Sequence, residues 1–388
     1  MPDGGDSLTV RLVERIGDVD PAAWDACAGT RDPFVSHAFL HALEEGGSAT
    51  AETGWLPQHL IAEDARGRIA GVVPMYLKGH SYGEYVFDQG WADAYRRAGG
   101  RYYPKLQVAV PFTPVTGRRI LVAAHDDGDA VRATMAAALP RIARRARVSS
   151  LHVTFCTKEE AAAFSAAGFL IRRGFQYHWD NQGYGSFDDF LARLSHSKRK
   201  AIRKERREVA AQGFEILSLT GKEITPAHWD AYHDLYVTIF DRKWGAPYLT
   251  RAFFHRLGET LADRVLLVLA RHGGRFVAGA LNLIGDDTLY GRNWGALGEF
   301  RFLHFEACYY RAIDFAIARG LKRIEAGAQG EHKVQRGYLP QPTYSAHWIR
   351  DEAFRDAVAR FVERETVMIG HEMAEIAQHS PFKADDTG

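Results

Sequence analysis

Two stretches of this chain read alike when laid side by side, and that likeness limits the fold more than any other feature. The first, HLIAEDARGRIAGVVPMYLKGHSYGEYVF, runs from His59 to Phe87, and the second, LLVLARHGGRFVAGALNLIGDDTLYGRNW, from Leu266 to Trp294. Each has an apolar strand, a tight turn ending in Gly-Arg (Gly67-Arg68 and Gly274-Arg275), a second strand containing a glycine, and an aromatic stretch alternating with polar residues. Both therefore predict an antiparallel meander. The segments downstream of the two copies correspond too. Ala130 to Arg147 has helical composition and Ser150 to Cys156 reads as a strand; in the second copy Leu303 to Arg319 has helical spacing, Gly320 stands at the C-cap position, and LKRIEAG is the strand. The ends match as well, GFLIRRGFQYHW (Gly168 to Trp179) against GYLPQPTYSAHW (Gly337 to Trp348). A duplicated unit is the economical explanation.

Length agrees, since 388 residues exceed one average domain and suffice for two cores. The 46% hydrophobic and 25% charged fractions are those of an ordinary globular protein. The start, MPDGGDSLTV, lacks a basic region followed by an apolar run, and no stretch reaches the ~18 to 20 apolar residues of a membrane span, so a cytoplasmic address without integral membrane association is expected. Cys27, Cys156 and Cys308 are far apart and odd in number, which argues for reduced core thiols and against a disulfide framework or a structural zinc site. The overall charge of +1 hides a concentration: from Arg193 to Glu208 eight Lys/Arg face two Glu, a local +6 that leaves about −5 for the rest.

Helix, meander, helix, strand and final strand is the order of the GNAT acyltransferase fold, and a tandem pair of such units resembles the FemAB aminoacyl transferases. The segments SHAFLHALEEGG, HSYGEYVFDQGWADAYRRAGGRYYPKLQVAVPFTPVTG, FLARLSHSKRKAIRKERR, YGRNWG, FLHFEACYY and EAGAQGEHKVQRGYLPQPTYSAHW are similar to the FemAB-like family of predicted N-acyltransferases, labelled peptidoglycan-related. The resemblance spans nearly the whole chain. It implies an α/β fold of two GNAT-like domains, mixed sheets flanked by helices. Residues 1–180 are expected to form the acceptor side, with an aromatic loop at 80–117, and residues 181–388 the donor side, with a basic helix at 187–211.

Four regions are candidates for chemistry. At the junction YGRNWGALG, GNAT enzymes carry a Q/R-x-x-G-x-G/A turn whose N–H groups hold a pyrophosphate; Arg292 and Gly295 match it, and Leu297 stands where the second glycine belongs. Within the strand, Tyr290, Arg292 and Trp294 share a face that could line a pocket or pack under an interface. On the next helix Glu306 could serve the helix dipole or act as a general base. After the next strand, Glu325, Gln329, Glu331, His332, Lys333 and Arg336 fall within a dozen residues. They supply a base and a cation for an oxyanion or phosphate, as N-acyl transfer requires. In FemAB-type enzymes a basic residue before an aromatic-glycine turn belongs to the donor site, and Lys333, Arg336, Gly337 and Tyr338 look similar.

The basic block reads as a helix N-capped by Ser186 with Asp189 three positions on. Lys198, Arg199, Lys200 and Arg203 would face outward, either merely solvated or toward a polyanion such as a tRNA acceptor stem or a coenzyme A phosphate. In the long loop, Tyr82, Glu84, Tyr85, Asp88, Trp91, Tyr103 and Lys105 could form an acceptor pocket, with ring faces for a sugar or cation and carboxylates for an amine, or a packed seam. Together these point to an N-acyltransferase that moves an aminoacyl or acyl group from aminoacyl-tRNA or acyl-CoA, as co-substrate and not as a tightly bound cofactor, to an amine acceptor. The alternative is a non-catalytic relative that binds a cell-wall or lipid precursor.

Overall fold

The computed structural model describes residues 8–124, 128–241 and 246–383; the side chains of Asp241 and Glu331 lie outside that description. The chain forms two compact units, neither contiguous in sequence: Met1–Gly174 with Pro342–Ile369, and Phe175–Gln341 with Gly370–Gly388.

The first unit has two sheets. One is antiparallel, in the order β1 (Thr9–Val13), β3 (His59–Glu63), β4 (Ile69–Val73), β7 (Leu121–Val122). The other runs β2 (Trp55–Pro57), β5 (Met75–Lys78), β6 (Lys105–Val108), β8 (Ser150–Cys156), β15 (Leu339–Ile349), with β6 and β8 parallel and the other pairs antiparallel. In the second unit the order is β10 (Glu215–Thr220), β11 (Val265–His272), β12 (Arg275–Ile284), β13 (Thr288–Ala296), β14 (Arg323–Glu325), β9 (Leu170–Asp180), with only β13 and β14 parallel. The repeats exchange their last strands. β9, which ends the first, pairs with β14, and β15, which ends the second, pairs with β8. The units therefore differ from the segments 1–180 and 181–388.

The second repeat forms the expected meander of β11, β12 and β13. The first departs from it: Pro74, which offers no N–H to a ladder, separates β4 from β5, and β5 joins the other sheet. The aromatic stretch after β5 is not a strand, because Gly83 and Tyr85 take left-handed backbone (φ 79° and 59°). Nor is 80–117 wholly irregular, since it holds a helix, Gln89–Arg97, and β6. The basic region is two helices, Phe187–Arg193 and His196–Ala211, not one, because Leu194 is extended (ψ 155°). Ser186 caps the first of them as expected, its Oγ accepting from the Asp189 N–H at 3.1 Å.

Alternation along the strands sorts residues by face. Leu106, Val108, Leu151, Val153, Ala346 and Trp348 join Met135 and Leu139 of the helix Gly128–Arg145 in the first unit's core. Leu266, Val268, Leu289 and Ile324 join Ala312 and Ile313 of the helix Arg311–Ala318 in the second. The opposite face of the first unit's larger sheet is polar and buried: Lys78 lies opposite Lys105, Tyr76 opposite Gln107, Gln107 beside His152, and His152 opposite His347. Among the described residues, no helix is long and apolar enough to cross a membrane.

Candidate functional site

In the second unit β13 and β14 pair over Thr288–Tyr290 and Arg323–Glu325, where β14 ends, and beyond that row β13 runs on while the segment after β14 leaves the ladder. Gly291 sits at the fork, where a Cβ would stand 3.3 Å from the Glu325 carbonyl oxygen. Between the diverging strands is a cavity of about 440 Å³. β13 contributes Arg292, Asn293 and Trp294, β12 Asn282, the next helix His304, Cys308 and Tyr309, and the segment after β14 Gln329, His332 and Lys333.

The helix that lines it is not regular. After Leu303–Phe305 it widens into a π-turn, Glu306–Tyr310, before continuing as Arg311–Ala318, and the extra residue re-aims the Cys308 and Tyr309 side chains. Tyr309 Oη lies 3.0 Å from His332 Nε2. Burial first, then the Arg336 and Lys333 charges, holds the His332 pKa below the ordinary histidine value. Burial and the neighbouring His332, Lys333 and Arg336 push His304 down to about 4. Both imidazoles are neutral at pH 7, the state a base requires. Lys333 is 5% exposed and donates to the carbonyl oxygens of Ala326 (2.5 Å) and Gly327 (3.2 Å), and burial lowers its pKa to about 8. The Cys308 thiol is driven up by burial, so it offers little thiolate.

The turn bearing His332 and Lys333 is clipped from behind by Arg336. Its Nη2 meets both Glu205 carboxylate oxygens at 2.8 Å, its Nε donates to Tyr310 Oη at 3.0 Å, its Nη1 donates to the His332 carbonyl at 2.8 Å, and its plane lies 3.4 Å over the Phe305 ring. Arg336 thus holds the site rather than lining it. Glu325 faces His178 of β9 at 3.8 Å, in the row where the two strands pair. Glu306 is buried, and its Oε1 accepts from Arg206 (3.2 Å) and Arg311 (2.9 Å), so it closes an ion-pair network outside the cavity wall. Gly295 stays within β13, where a Cβ would meet the Leu235 carbonyl at 2.2 Å; it permits a close helix–strand approach. The strand runs on to Ala296 and the helix starts at Leu303; Gly295 pairs with Gly279 of β12 and Arg292 sits at the register shift of that ladder, so both lie within the strand and not in a phosphate-binding turn. Tyr290 is buried in the paired part of β13. The Glu331 side chain lies outside the described residues. Of the basic helix, Lys200 and Arg203 are exposed, Lys198 and Arg199 half-buried, and Arg203 pairs with Asp188 at 2.8 Å.

The acceptor candidates of the first unit come together differently. Lys105 donates to Glu84 (2.7 Å), Asp88 (2.5 Å) and Ser81 (2.9 Å), all buried. Asp88 also accepts from the Tyr102 hydroxyl at 2.7 Å, which lies 3.1 Å from His152 Nε2, and His152 Nδ1 is 2.7 Å from His347 Nδ1. Burial works against the charge on both partners, yet the Lys105 ammonium holds Asp88 well below the usual carboxylate range and the two carboxylates keep Lys105 above its ordinary value. Glu84, raised by burial to about 7, also faces Lys78, which burial lowers to about 7. Trp91 packs edge-on against His347 at 4.9 Å, Tyr103 reaches Ser81 at 2.8 Å, and Tyr82 and Tyr85 are exposed. Glu84, Asp88 and Lys105 are thus committed to one another.

Sequence reasoning missed His304, Tyr309, Lys78, His152 and His347. A signal existed for the last two: Ser150-Leu-His152 and Ser345-Ala-His347 alternate polar with apolar along their strands.

The FemAB-like family model, described as peptidoglycan biosynthesis/recognition, matches residues 15–384. The chain belongs to this family. Solved FemAB-like and related folds agree: the C-terminal domain of a putative lysylphosphatidylglycerol synthetase from Agrobacterium fabrum aligns at 9% identity and TM-score 0.56, covering 89% of this chain and 95% of that one. FemX aligns at 11% and 0.56, covering 88% and 98%, and L-PGS from Bacillus licheniformis at 10% and 0.52, covering 86% and 98%. At such identities the fold alone is shared, and that fold is α/β with two GNAT-like units in tandem. Comparison with curated protein sequences finds no match. FemAB-like membership supports a transferase.

Proposed function

We propose that this FemAB-like protein is an N-acyltransferase that works in the cavity between β13 and β14, with aminoacyl-tRNA as donor and an amine of a peptidoglycan-type or small-molecule precursor as acceptor. The observation that carries the reading is the fork itself, which brings neutral histidines and a buried ammonium to one water-accessible cleft. The amine nitrogen attacks the ester carbonyl carbon. As the C–N bond forms, the oxygen takes negative charge opposite Lys333, whose ammonium is preoriented by two carbonyl dipoles. His332 takes the proton from the amine nitrogen and returns it to the tRNA hydroxyl oxygen as the ester C–O bond breaks. Arg292 and Trp294 line the same cavity for the rest of the donor.

The basic helix favours tRNA over acyl-CoA. Through Glu205 the helix His196–Ala211 is tied to Arg336, and through it to the turn holding His332 and Lys333. Phosphates on its exposed side would thus be registered against the cavity. The acyl-CoA version loses support because Arg292 and Gly295 lie in a strand. Filter binding of charged tRNA tests this, with thermal shift by CoA thioesters as the contrast. The reading expects salt-dependent tRNA binding whose slope flattens when Lys198, Arg199 and Lys200 are reversed in charge. An unchanged slope rejects tRNA. Stabilisation by a CoA thioester alone would favour the acyl-CoA version, and failure of both would favour the non-catalytic precursor binder.

A further inference from the structure

The first unit has a cavity of its own, of about 250 Å³, between the helix Gln89–Arg97 and the segment Gly100–Tyr103. Its floor is aromatic and fixed. Tyr102 and Tyr103 meet edge to face with centroids 5.1 Å apart, Tyr102 tethered to Asp88 and Tyr103 to Ser81. Lys105 bonds both Asp88 and Ser81, so the buried ionic cluster sets both rings at once. Gly100 completes the floor, because a Cβ there would meet the Tyr95 ring at 2.5 Å, and Tyr95 is itself stacked on Phe354 at 4.5 Å.

The rim is made of planar hydrogen-bonding groups. Gln89 offers an amide, Asp93 and Arg96 share a 2.8 Å hydrogen bond, and Arg101 is exposed with no ion-pair partner among the described residues. An aromatic floor suits the C–H face of a sugar ring, and an amide, a carboxylate and guanidinium forks suit its hydroxyls. An unpaired guanidinium favours a carboxylate or phosphate, which it can bind with two parallel bonds. The volume lies below the ~300 Å³ at which drug-sized sites begin, so one ring is the natural occupant.

We propose that this cavity is a carbohydrate subsite that takes a single pyranose ring bearing an anionic substituent, with the ring on Tyr103 and the anion against Arg101. The inference does not depend on the transfer chemistry of the second unit. It gives the Lys105 cluster a role, as the support that positions the two tyrosines.

Saturation-transfer NMR and calorimetry on the full chain, with glucuronate, glucose 6-phosphate, glucose and inorganic phosphate as probes, test it. The two acidic sugars are expected to saturate with dissociation constants of about 1 mM, and glucose to bind roughly tenfold more weakly. Arg101→Ala should bring the acidic sugars down to the level of glucose, Tyr103→Ala should abolish the sugar signal, and Ser81→Ala, which frees the Tyr103 hydroxyl, should weaken it several-fold. These variants are at or near the surface except Ser81, so folding is checked by thermal melts. No saturation by any sugar at about 20 mM, or binding that survives Tyr103→Ala, overturns the proposal. So does inorganic phosphate binding as tightly as glucose 6-phosphate, which would leave an anion site only.

Discussion

Lys105 of the first unit and Lys333 of the second are both buried, and they are solvated in opposite ways. Lys105 is clamped by the carboxylates of Glu84 and Asp88, which hold its proton firmly. Lys333 donates to the carbonyl oxygens of Ala326 and Gly327 and has no carboxylate partner among the described residues, and burial brings its pKa to about 8. Dipoles hold an ammonium in place without neutralising it, so its charge remains available to a ligand. The comparison separates support from chemistry. A cluster whose charges satisfy one another has little left for a substrate, whereas an ammonium beside neutral imidazoles in an open fork has.

The largest effect expected from this contrast is on stability. Lys105→Met leaves Asp88 buried without its cation and Glu84 with Lys78 at 4.0 Å, and should cost about 3–5 kcal/mol by denaturant unfolding. Lys333→Met leaves no charge behind, only two backbone carbonyls with space to hydrate. It should melt near wild type while lowering transfer by about 10²- to 10³-fold, as loss of an oxyanion donor does. A large stability loss in Lys333→Met would make the two lysines alike and the contrast empty.

Gly295→Ala comes next. Its Cβ would overlap the Leu235 carbonyl, so about 1–3 kcal/mol of stability should go while donor affinity of the folded fraction is kept. Weaker donor binding at full stability would return Gly295 to the donor site. The smallest effect is on pH dependence. With a folded pKa of about 8, Lys333 loses its proton as pH rises through that value, so transfer should fall about tenfold per unit above it, and Lys333→Arg should move that limb upward. The linkage runs the other way for folding. Because the unfolded lysine keeps its proton to about 10.5, this group makes stability rise with pH between the two values.

Much of the fold was legible because it rests on local pattern. The strand Ser150–Cys156 matches its reading residue for residue, and Gly320 takes the left-handed backbone (φ 64°) expected of a C-cap. The duplication pointed to two GNAT-like units, but not to the exchange of β9 and β15, since pairing partners 143 to 199 residues apart leave no mark on periodicity. At the site, His332, Lys333, Gln329, Arg292 and Trp294 do meet around one cavity. Glu306 and Arg336 read as equally reactive in sequence. Their partners Arg206, Arg311 and Glu205 commit them to structure, and two of these three lie 100 or more residues away. His304 escaped notice because its place at the cavity depends on the fork, which leaves no mark on local pattern.

Single-turnover transfer from a charged tRNA to a simple amine, measured at low salt for wild type, Lys333→Met and Lys105→Met, bears most directly on the division of roles. Lys333→Met should transfer about 10²- to 10³-fold more slowly at wild-type stability, and the folded fraction of Lys105→Met should transfer as wild type does. Equal rates for wild type and Lys333→Met, or selective loss in folded Lys105→Met, would place the chemistry elsewhere and contradict the account.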